Sequence, residues 1–170
     1  TQLYIGSNGY IVFGQPVNLA QPFPPAIPLS GPPNDFIAPY MADWFPGNEG
    51  QGSVYFWTNH DDSCIVSFLD FPAFVTGGAH TFQVILTNRD SSITFQYALQ
   101  QGLVLNHDIL IGIESQTGQI GLEHSHDQYI AFYNSAIKFE YPEEVSFPVW
   151  DLAAHETASP NSAGFFVTTE

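Results

Sequence analysis

Basic residues are nearly missing from this chain. Arg89 and Lys138 are the only two, against seventeen acidic residues, for a formal net charge of −15 over 170 residues. That charge repels phosphate backbones and anionic headgroups, which sets nucleic acid and membrane surfaces aside as partners. The same scarcity removes nearly every trypsin-type cleavage site, which suits an extracellular or cell-surface setting. Cysteine is also scarce. Cys64 stands alone, so no internal disulfide can form, and its context SCIVSF reads as a small packing residue rather than a reactive thiol. No run of about eighteen apolar residues exists, so no transmembrane helix and no membrane insertion by that route is expected. Amphipathic helices of ordinary length are lacking as well.

What is abundant is aromatic: fifteen Phe, eight Tyr and three Trp. They fall in short segments rich in Val and Ile, divided by Gly, Pro, Asn and Asp, with turns roughly every eight to twelve residues. The pattern predicts an all-β fold, an antiparallel β-sandwich of jelly-roll-like character. Asn8-Gly9 predicts a tight turn within residues 3–13, because both residue types tolerate positive φ. Residues 14–34 hold seven prolines and read as a long loop that cannot join a ladder as a central strand. Further hairpins are expected over 53–71, 80–100 and 108–126, and a closing strand over 135–141. In TFQVILT the apolar side alternates as Phe82, Val84 and Leu86, so one face is buried and one is wet. The domain is expected to span 1–141. Residues 142–170 read as a linker or tail whose β-prone end, GFFVTTE, is a candidate intermolecular strand.

Several motifs in order resemble a known family. SNGYIVFG, NDFIAPYMADWFPG, GSVYFW, IVSFLDFP, TFQVILTNRDSSITFQY and IGIESQTGQIGL follow one another as in nidogen-type extracellular domains and their bacterial relatives in secreted surface proteins. The resemblance covers about residues 3–141. It implies a β-sandwich in a multidomain extracellular protein, with adhesion or matrix roles and no catalytic residues. It also implies a strand before the SNG hairpin, so the sheet edge near Thr1 is expected to be open. The chain departs from many family members in carrying no disulfide.

Candidate sites are few. Calcium is the candidate cofactor, since hard cations take several oxygen ligands, and Asp43, Asn48 and Glu49 around the glycine-rich turn form its candidate site. The alternative for Asp43 is a carboxylate that anchors the following turn. His124 and His126, alternating in EHSHD, are a candidate transition-metal pair that needs a third ligand such as Asp127 or His107; exposed strand residues are the plainer alternative. Glu114 and Glu123 lie on expected partner strands, but nothing in their spacing selects a paired-carboxylate hydrolase over two surface acids. GxSxG, phosphate-loop, dinucleotide and CxxC patterns are absent. A non-enzymatic role follows: adhesion, or a subunit of a surface assembly or filament built by strand addition through protein partners or self-assembly, with Trp150, Phe165, Phe166 and Val167 as candidate contacts. The second class is a carbohydrate-binding module, with a glycan as partner and exposed tryptophan as its platform. Core packing is expected for Trp44 and Trp57, which leaves Trp150 for intermolecular contact.

Overall fold

The computed structural model describes residues 2–16, 24–105 and 109–141, together with the backbone of residues 159–160 and 166–167. Among the described residues, ten strands form two antiparallel five-stranded sheets. The first sheet has the order β1 (Leu3–Gly6), β2 (Tyr10–Phe13), β3 (Phe36–Met41), β8 (Leu110–Glu114), β9 (Gly121–His126). The second has the order β10 (Ser135–Phe139), β7 (Ser92–Tyr97), β6 (Gly77–Thr87), β5 (Ser63–Ala73), β4 (Ser53–Thr58). The all-β sandwich expected from the sequence is the observed architecture. The first hairpin turns at residues 7–9, where Gly9 takes φ +75° and its N–H donates to the Gly6 carbonyl at 3.1 Å.

The sheets meet face to face through alternating side chains. Ile11, Ile37, Tyr40 and Ile111 from the first sheet pack with Val66, Phe68, Phe82, Val84, Phe95 and Tyr97 from the second. Aromatic geometry dominates the centre. The Tyr40 ring stands edge-on to Trp44 with centroids 5.2 Å apart, and Tyr97 stacks on Phe132 at 3.7 Å. An edge-on pair such as Tyr40–Trp44 adds roughly 0.5–1.5 kcal/mol beyond the burial of its area.

Strand β3 is buried over its whole length, although Pro39 lies within it at the centre of a sheet. Proline has no N–H to give a ladder. A bulge resolves the conflict: Ala38 pairs with Gly112 and Met41 with Leu110, so three steps on β3 span two on β8. The extra residue absorbs Pro39 and returns Tyr40 to the inner face and Met41 to the outer one. The Pro39 carbonyl is still used, accepting the Tyr97 hydroxyl at 2.6 Å.

The first sheet is apolar on its outer side too. Tyr10, Val12, Phe36, Ala38, Met41 and Leu110 form a second small core, closed by Ile27 from the proline-rich loop. Residues 24–34 of that loop lie across the sheet rather than away from it.

Candidate functional site

Two carboxylates that share a face of the β8–β9 pair, Glu114 opposite Gly121 and Glu123 opposite Gly112, hold this loop in place. The Ile27 N–H donates to Glu123 Oε2 at 2.9 Å and the Leu29 N–H to Glu114 Oε1 at 2.5 Å. A third fastening comes from His126, whose Nε2 meets the Pro24 carbonyl at 2.9 Å and so carries the proton of that bond. Gly112 leaves room for the loop, since a Cβ there would meet Ile27 Cδ1 at 2.7 Å. Burial pushes the Glu114 carboxyl above its ordinary range, and the Leu29 N–H opposes part of that rise. Glu114 and Glu123 are thus occupied with loop amides rather than set across a cleft.

The strict alternation expected for His124 and His126 is interrupted. Ile111 pairs with Ser125 and Gly112 with Glu123, which leaves His124 as the extra residue of a bulge. His124 is exposed, while His126 is half-buried beneath the loop and 3.5 Å from Asp127. His107 lies outside the described residues. Around the other candidate cation site, Asp43 is half-buried and its carbonyl accepts the Phe74 N–H at 2.8 Å. Asn48 and Glu49 are exposed in a 3-10 turn over Asn48–Gly50, where Glu49 takes φ +53°. Among the described residues, no three His, Cys, Asp or Glu side chains converge as a metal ion requires. Trp150 and Phe165 lie outside the described residues. Phe166–Val167 forms a two-residue ladder with Ser159–Pro160, separate from both main sheets.

One polar group in the core was not legible as such. His80 is fully buried, its ring 4.9 Å from that of Trp44, with Nδ1 3.2 Å from Gln100 Oε1 and Nε2 without a hydrogen-bond partner. Burial lowers its pKa and outweighs the Gln100 and Gly77 contacts that oppose it, which favours the neutral ring. Its parity with Phe82, Val84 and Leu86 was the available signal, because extending that alternation backwards puts residue 80 inside.

The feature that stands out chemically is β4. Among the described residues it is an edge strand, and Ser53, Val54, Tyr55, Phe56 and Trp57 are all exposed. Trp44 is buried at 3 % exposure, as expected, but Trp57 is 54 % exposed, which corrects its assignment to the core. The reason is position in the sheet. Val54 and Phe56 pair with the buried Phe68 and Val66, so they face the core side, yet β4 lies where that side runs out. Tyr55 and Trp57 point to the opposite, outer face. A strand apolar on both faces is ordinary at the centre of a sheet, and sequence alone does not separate that case from an edge. The same edge continues through Trp44 and Phe45, which pair with residues 72–74 at the end of β5, and the exposed rings of Phe45 and Phe74 meet edge-on at 5.4 Å. Ile37 to Trp57 therefore begins in the middle of one sheet and ends as the border of the other.

No family model, curated protein or solved structure matches the chain.

Proposed function

We propose that this chain is a non-catalytic extracellular module that works through protein contacts, as an adhesion domain or a subunit of a surface assembly, and that the contact is strand addition at β4 by a second copy of the chain. The observation that supports this most is the edge that β4 leaves unguarded among the described residues. An outer strand presents a row of unpaired N–H and C=O groups, and proteins that stay apart blunt such strands with charge, proline or bulges. The other edges carry such features: β10 bears Lys138, β9 carries a bulge with Glu123 and His124, and β1 is four residues long. β4 has six residues, no charge, no proline and no register break against β5.

Two copies joined antiparallel through β4 make a closed, self-complementary contact, which limits it to pairs unless another edge also engages. Val54 and Phe56, exposed on the core-side face of β4, are the apolar side chains that such a pair would cover, while Tyr55 and Trp57 stay on the opposite face. A strand without charge is also where two copies of net charge −15 meet with least repulsion. The resemblance to nidogen-type domains supports the extracellular setting, and the engagement of Glu114 and Glu123 by the proline-rich loop supports a role without catalysis.

Sedimentation velocity over a range of concentrations tests the proposal. Wild type is expected to associate as concentration rises, and Phe56→Lys to remain monomeric with its fold intact. A wild-type chain that is monomeric throughout, or association that Phe56→Lys leaves unchanged, contradicts it.

A further inference from the structure

The outer face of the second sheet carries a row that crosses four strands. Tyr55, Ser67, Gln83 and Gln96 stand opposite one another in register on β4, β5, β6 and β7. Ser67 Oγ donates to Gln83 Oε1 at 3.1 Å and Gln83 Nε2 to Gln96 Oε1 at 2.6 Å, so the polar groups form a continuous ladder. Trp57 lies two residues from Tyr55 and therefore on the same face, about 7 Å further along the strand. The two rings are 60 % and 54 % exposed. Beside the ladder is a shallow depression of about 280 Å³, lined by Gln83 and Gln96 together with Leu69, Thr81, Ala98 and Asn134.

Charge decides which class of ligand suits this face. The chain has seventeen carboxylates, yet neither the ladder nor the row of Ile65, Ile85 and Thr94 beside Trp57 contains one. The cation at the far border, Lys138, is held by Asp90 at 3.1 Å and Glu140 at 2.6 Å. Asp70, beside the depression, accepts the Thr81 hydroxyl at 3.3 Å, but along the ladder and the Trp57 row a basic partner finds no counter-charge and an anionic one no free cation. Flat rings beside hydroxyl and amide groups, on a neutral surface, complement a ligand that is apolar on its faces and hydroxylated at its rim. That is the chemistry of a neutral pyranose.

We propose that this face binds neutral glycans. The Tyr55 and Trp57 rings stack on the C–H faces of sugar units, and the Ser67–Gln83–Gln96 ladder hydrogen-bonds their hydroxyls. At that ring spacing a ligand of two or more units is needed to use both. The site is independent of edge pairing, because Phe56 points to the opposite face of β4 from Tyr55 and Trp57.

Affinity electrophoresis of the full chain in gels containing neutral polysaccharides (mixed-linkage β-glucan, xylan, galactomannan and starch), with alginate as the anionic counterpart, tests the site. At least one neutral polysaccharide is expected to retard the protein. Trp57→Ala and Tyr55→Ala are each expected to weaken that retardation about tenfold, while Phe56→Lys leaves it unchanged. Matching thermal transitions of variants and wild type show that the fold is kept. No retardation in any neutral gel, retardation by alginate alone, or retardation that survives the double Tyr55→Ala/Trp57→Ala variant overturns the proposal. Because Phe56→Lys separates the two faces, failure of glycan binding is distinguishable from failure of edge association.

Discussion

Among single residues, the most consequential is the one that the surrounding sequence makes look ordinary. His80 follows two glycines and an alanine, with no carboxylate or second histidine near it in the chain, and yet its imidazole is enclosed by aromatic rings. Its pKa is lowered in the fold, whereas in the unfolded chain it titrates near 6.5. The unfolded state therefore takes up a proton first as pH falls. The stability linked to the neutral ring is fully present above the unfolded value and is lost as pH drops through it toward the depressed folded value. His80→Phe removes this titration. The thermal midpoint of the wild type relative to His80→Phe is expected to fall as pH is lowered from neutrality to about 5.5; a constant difference across that range contradicts a buried neutral His80. Trp57 teaches the complementary lesson. Its β propensity and its neighbours were legible, but exposure depends on where the strand lies in the sheet.

Among elements, the hairpins were the most legible. The Asn8-Gly9 turn, the alternation Phe82, Val84, Leu86 and the pairing of β8 with β9 all follow from local chemistry that the sheet then reinforces. Less legible was β3, because Pro39 argues against a central strand and only the bulge opposite Gly112 reconciles the two. The proline-rich loop was legible as a loop, but not as a lid over the first sheet, since its anchors Glu114 and Glu123 lie 85 and 96 residues away in the chain. This arrangement predicts a local response. Glu123→Ala removes the acceptor for the Ile27 N–H and is expected to cost about 1 kcal/mol. Amide exchange at Ile27 and Leu29 should quicken while that at Val66 and Val84 is unchanged. Uniform protection of the loop in the variant means that the carboxylate does not hold it.

For the whole molecule, a large net negative charge and an unguarded apolar edge oppose each other. Charges on separate copies interact over a Debye length of about 8 Å at physiological ionic strength, so salt weakens the repulsion while leaving backbone pairing and apolar burial in place. Association through β4 should therefore strengthen as salt is raised, the reverse of a contact held by ion pairs. The composition made the charge visible at once. The place where it is absent emerges only when β4 and its in-register neighbours are brought side by side.

Amide hydrogen exchange within Val54–Thr58, followed as protein concentration rises at moderate salt, tests the central claim most directly. The β4 amides that point away from β5 are expected to become protected in step with concentration in the wild type and to stay open in Phe56→Lys. Fast exchange of those amides at every concentration, while the chain associates through some other surface or not at all, contradicts strand addition at β4.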